Sequence, residues 1–149
     1  RDVPPLDYDR VFRLKEEYPN KFIGINGGIE DLNHARALSA HVDGAMLGRA
    51  AYHNTSLLAD VDAVMYGDEP AQTDWLAVRD AMMAHAANHI ADGGRLIHVT
   101  RHMVGLFHGL PGARRYRQVL STGAAGRGAG PEIIAEAFAE VHLPQELVA

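Results

Sequence analysis

The chain has 149 residues, 47% of them apolar, no cysteine and a formal net charge of -5. This is enough for one domain with a sizeable core or for parts of two, and it excludes disulfides, thiolate metal sites and cysteine catalysis from the segment. No run approaches the roughly 20 apolar residues needed to cross a bilayer, and the start lacks the order of a signal peptide, so the sequence reads as soluble and cytoplasmic.

The opening RDVPPLDYDRV is a Pro-containing loop that leads into a helix with no earlier core element, as expected of a chain that begins in mid-fold. The spacing predicts that helix over residues 7–18, with Tyr8, Val11, Phe12 and Tyr18 on one face and Asp9, Arg10, Arg13, Glu16 and Glu17 on the other. Pro19 and Asn20 close it.

KFIGIN follows, a short β-branched run broken by Gly27 and Gly28, which suits a buried strand of a parallel sheet. A second helix is expected over residues 31–41, with Leu32, Ala35 and Leu38 facing inward, then a second buried strand over residues 44–48. The order helix, strand, helix, strand is the grammar of βα units joined by right-handed crossovers.

After Gly48 the strand signals stop. Helices are expected over residues 56–66, 73–91, 96–107, 113–121 and 132–141, so the character shifts from α/β to all-α near residues 67–71. Thr73 is the expected N-cap of the longest helix, whose stripe Trp75, Val78, Met82, Ala86 and Ile90 fits a bundle core. GAAGRGAG, residues 123–130, reads as a flexible connector, and Pro131 with Glu132 opens the last helix.

Two features point to anions. A glycine-rich turn between a strand and a helix can offer unpaired N–H groups to a phosphate, and Gly27-Gly28 and Gly48-Arg49 end successive strands. Arg49 adds a fixed charge with several donors. Together they match the phosphate grip that (β/α)8 barrels build from the loops after their last two strands. Either motif alone could equally be a tight turn and a surface ion pair.

The second feature is charge distribution. Residues 95–127 hold six arginines (Arg95, Arg101, Arg114, Arg115, Arg117 and Arg127) and no Asp or Glu, while the other eight basic and all nineteen acidic residues lie elsewhere. In GARRYRQVL, Arg114 and Arg117 share a helical face with Gln118 and Ser121, opposite Tyr116, Val119 and Leu120. Arg95, His98 and His102 share one side of the preceding predicted helix, and the pair of helices makes a polyphosphate surface or a solvated basic face. His98 and His102 are spaced as a helical metal pair, but HVTRH lacks the glutamate of the metalloprotease motif and a third ligand, and no metal site is expected.

PPLDYDRV, INGGI, DGAMLGRAAYHN and above all HVTRHMVGLFHGLPGARRYRQVLS resemble the C-terminal part of the A subfamily of tRNA-dihydrouridine synthases, over nearly the whole chain to about Val141. The resemblance implies an α/β plus α fold: residues 1–70 as the last strand-helix units of an FMN-binding (β/α)8 TIM barrel, and residues 71–149 as a helical tRNA-binding domain. It implies an oxidoreductase that uses FMN and NADPH to reduce uridines at positions 20 and 20a of the tRNA D-loop.

Carried over by position, Asn26, Gly27, Gly28, Gly48 and Arg49 look like the phosphate end of the FMN site, and Arg1, Arg114 and Arg117 like tRNA contacts. The proton-donating cysteine of such enzymes is absent from this chain, so no catalytic residue is assigned and the isolated chain is expected to lack turnover. Two strands cannot close a barrel, and residues 1–70 are expected to be poorly stable alone. The alternatives are a non-catalytic RNA-binding module and a phosphate-binding barrel enzyme unrelated to RNA.

Overall fold

The structure is a computed structural model that describes residues 5–143. It divides into two compact units, the first ending at Ala71 and the second beginning at Gln72, with residues 53–56 counted with the second.

In the first unit, α1 (Tyr8–Glu17) starts where the Asp7 carboxylate accepts the Arg10 N–H at 3.0 Å. Tyr8, Val11 and Phe12 pack on the core as their spacing predicts. Tyr18 does not: it stands at the C-cap with 51% of its surface exposed, having left the helical period that would carry it inward.

Strands β1 (Gly24–Asn26) and β2 (Gly44–Met46) pair in parallel, with Gly24 opposite Gly44, Ile25 opposite Ala45 and Asn26 opposite Met46. Between them α2 (Leu32–Ser39) is capped by Asp31, whose carboxylate accepts the His34 N–H at 2.8 Å, and it buries Leu32, Ala35 and Leu38 as expected. The strands are shorter than the apolar runs and are not buried on both faces. Ile25 joins the core with Ala35, Leu38 and Val42, whereas Gly24, Asn26 and Met46 are exposed on the other side. The physical reason is the sheet itself: side chains alternate between faces, and the apolar sides of α1 and α2 cover only one of them.

After β2 comes α3 (Arg49–His53). The single helix expected over residues 56–66 is instead a 3₁₀ turn (Thr55–Asp60) and a π-helical turn (Asp62–Tyr66), closed by Gly67 in the left-handed region at φ 78°. No side chain of either turn is fully buried, so packing does not impose a regular α period there.

The second unit is helical. α4 (Trp75–Ala91) is capped by Asp74 rather than Thr73, the Asp74 carboxylate accepting the Ala77 N–H at 2.9 Å. Its stripe of Trp75, Val78, Met82 and Ile90 lies against the core, with Ala86 fully buried. α5 (Leu96–Thr100) stops seven residues before the expected end. Beyond it the chain tightens into turns three residues long, the His102 N–H donating to the Val99 carbonyl at 3.1 Å and the Met103 N–H to the Thr100 carbonyl at 2.9 Å. The Met103 carbonyl in turn accepts the Leu106 N–H and the Tyr116 hydroxyl, each at 3.0 Å.

α6 (Ala113–Gly123) and α7 (Glu132–Ala139) complete the unit. Phe107 sits edge-on to Trp75, Tyr116 and Phe138 with centroids 5.0 to 5.3 Å apart, the geometry that aromatic quadrupoles favour. The connector between α6 and α7 is anchored rather than free: Ala124 is buried and the Arg95 guanidinium donates to the Ala125 carbonyl at 2.7 Å.

Candidate functional site

In the first unit the register decides the geometry. Asn26 and Met46 are paired at the ends of parallel strands, so the turns that follow, Gly27-Gly28 and Leu47-Gly48-Arg49, leave side by side from the same edge. Adjacent strands lie about 4.8 Å apart. Asn26, Gly48 and Arg49 are exposed there.

Gly27 and Gly28 have φ of 116° and 61°, a left-handed conformation that L side chains rarely adopt. A side chain on either glycine would run into Leu6. Space around Gly48 is open, since a Cβ there would meet nothing within 4 Å. One expectation changes in detail: Gly-Gly is not the first turn of the following helix, because α2 begins at Leu32 and its amino end is already occupied by the Asp31 carboxylate. Any anion held here relies on the amides of the turn itself and on Arg49.

Sequence reasoning missed what supports the turn. The Tyr8 hydroxyl donates to the Gly27 carbonyl, a bond across nineteen residues that no local pattern signals. Tyr8 is itself partly buried, with its ring edge-on to His34 at 6.1 Å.

In the second unit, α6 buries Ala113, Tyr116 and Leu120 and exposes Arg114, Arg115, Arg117 and Gln118. Arg115 is diverted: its Nε lies 3.4 Å from Glu140 Oε1 and its Nη1 donates to Gln118 Oε1 at 2.9 Å. Arg114 and Arg117, one helical turn apart, have no hydrogen-bond or ion-pair partner among the described residues. Arg1 lies outside the described residues.

His98 and His102 meet different partners. His98 Nδ1 faces His89 Nε2 of α4 at 3.3 Å, while His102 Nε2 accepts from Arg101 Nε at 3.0 Å. Among the described residues no group of three or more His, Asp or Glu side chains is placed to hold a metal ion, and no helix is long and apolar enough to cross a membrane.

Comparison with known proteins decides the family. The model of the dihydrouridine synthase (Dus) family matches residues 1–142. The chain belongs to the dihydrouridine synthase family. It is 50% identical over 141 residues to the tRNA-dihydrouridine(20/20a) synthase of Shewanella oneidensis, covering 95% of this chain and 42% of that protein. It is 44% identical over 138 residues to the synthases of the same name from Salmonella typhi and Escherichia coli O6:H1, covering 93% of this chain and 42% of each of theirs. The chain thus spans less than half the length of the curated relatives it matches.

Proposed function

We propose that this chain supplies the phosphate end of the flavin site and the RNA-binding helices of a tRNA-dihydrouridine synthase that reduces uridines 20 and 20a of the D-loop, with FMN as cofactor and NADPH as reductant. The observation that carries the reading is the placement of Gly27-Gly28 and Gly48-Arg49 at one edge of a parallel strand pair, in a chain of this family. The exposed face of that pair, Gly24, Asn26 and Met46, suits the inner wall of a (β/α)8 barrel completed by further strands.

The residues fit a phosphate monoester. Open space beside Gly48, a glycine turn with a side-chain-free surface and an exposed guanidinium are the donor set a dianion needs. The glycine amides and Asn26 orient the phosphate, and Arg49 neutralises part of its charge. When bound, FMN supplies hydride to the uracil ring. The proton for the neighbouring carbon comes from a residue outside these cysteine-free 149 residues.

Arg114 and Arg117 hold the RNA. Fixed on the outer face of α6 by the burial of Tyr116 and Leu120, they present two charges to backbone phosphates. Such contacts set register without reading bases. A uridine within folded RNA must be turned out of its stack to be reduced, and an anchored backbone holds the RNA while that happens. The reaction takes place in the cytoplasm, with tRNA as the partner.

Deleting the gene and mapping dihydrouridine in cellular tRNA tests the proposal. The modification is expected to vanish at positions 20 and 20a and to return with the intact gene; unchanged dihydrouridine at those positions would refute it.

A further inference from the structure

We infer that Tyr8 is a positioning residue for the phosphate site: its hydroxyl, by holding the Gly27 carbonyl, aims the Gly28 N–H at the bound phosphate. The inference rests on the proposed flavin-phosphate reading of the glycine turn.

A trans peptide is planar, and its C=O and N–H point in opposite directions. The peptide linking Gly27 to Gly28 has its carbonyl tied to Tyr8, so the Gly28 N–H must point away from α1. Among the described residues that N–H has no hydrogen-bond partner. The α1 side of the turn is already filled. A Cβ on Gly27 would lie 2.7 Å from Leu6 Cδ2, and one on Gly28 would lie 2.7 Å from Leu6 Cδ1 and 3.5 Å from the Tyr8 hydroxyl. A ligand therefore meets this turn from the side to which the Gly28 N–H is directed.

Two glycines with positive φ make a soft hinge, because glycine adopts many conformations at similar energy. Without the tyrosine hydroxyl the peptide can rotate and turn its carbonyl toward the anion, a repulsive arrangement. The Tyr8 ring itself is held by the core around Val11 and Phe12 and by the edge of His34, so the hydroxyl is a fixed point.

The test uses the full-length protein stripped of flavin and titrated with FMN and with riboflavin, which lacks the phosphate. Tyr8→Phe removes the hydroxyl and keeps the ring. It is expected to weaken FMN about five-fold, the worth of one hydrogen bond, while leaving riboflavin binding unchanged. The phosphorus resonance of bound FMN should shift as well.

Equal losses for FMN and riboflavin would assign Tyr8 a purely structural role and overturn the inference. So would an unchanged FMN affinity in Tyr8→Phe when Arg49→Ala weakens FMN selectively. If Arg49→Ala also leaves the preference for FMN over riboflavin intact, the phosphate reading itself fails, and the inference fails with it.

Discussion

Asn26 stands opposite Met46 in the parallel ladder, and this pairing brings the glycine turn after β1 and the Gly48-Arg49 turn after β2 to the same edge. A register shifted by one residue would turn alternate side chains to the opposite face and offset the two turns. The proposed phosphate site is therefore a property of the strand pair, not of either motif alone.

Arg49 is the exposed cation of that edge. Arg49→Ala in the full-length protein is expected to weaken FMN binding about ten-fold or more, as loss of a charge-assisted hydrogen bond does. Flavin absorbance per polypeptide after purification measures it. Unchanged occupancy would remove Arg49 from the site.

In the proposed reading Arg114 and Arg117 meet a different ligand, the tRNA. Replacing both with alanine should leave flavin content unchanged, weaken tRNA binding and lower the slope of log affinity against log salt by about 2, roughly one per phosphate contact. Binding measured at several salt concentrations checks this, and an unaltered slope would show that neither arginine meets a phosphate. Arg115→Ala is expected to change the slope far less, because Arg115 is paired with Glu140.

The helical unit makes its own predictions. Gly112 has φ 87°, and a Cβ on it would collide with the Glu140 carbonyl. Gly112→Ala should cost more than about 1 kcal/mol. Tyr116→Phe should cost about 1 kcal/mol at most, since the Met103 carbonyl keeps the Leu106 N–H as a partner. Thermal unfolding of the two variants should rank them in that order. Burial also pushes the Tyr116 phenol upward from its ordinary value, so it stays protonated through the alkaline range in which exposed tyrosines ionise.

Acid sensitivity is expected near Asp43. The Lys15 ammonium 2.8 Å away, and then the Ile23 N–H, hold its carboxyl below the ordinary carboxylate value. A carboxyl depressed in the folded state stabilises the fold above its unfolded value of about 3.9, and that contribution disappears as pH falls through the lower folded value. Lys15→Met should move the Asp43 titration, followed by NMR, back up; an unmoved titration would show that Lys15 is not the cause.

Much of this was legible in the residues. The period of Leu32, Ala35 and Leu38 placed α2, and the apolar side of Tyr116, Val119 and Leu120 placed the arginine face of α6, because each helix has one apolar side. What sequence could not show were long-range contacts that override local pattern. The Tyr116 hydroxyl reaches the Met103 carbonyl within the turns that replace the helix expected to run to residue 107, and Glu140 pairs with the exposed Arg115. The bond from Tyr8 to Gly27 is of the same kind: its partners belong to different elements, and only the fold brings them together. The strands are shorter than the apolar runs that mark them, and apolar composition does not reveal which face is covered.

The most direct measurement is reduction of an unmodified tRNA transcript by the full-length protein loaded with FMN, with NADPH as the reductant and dihydrouridine mapped by position. The account predicts dihydrouridine at positions 20 and 20a in step with NADPH consumed, and loss of both with Arg114→Ala and Arg117→Ala at limiting tRNA. NADPH oxidation that leaves every uridine of the transcript unreduced would contradict it.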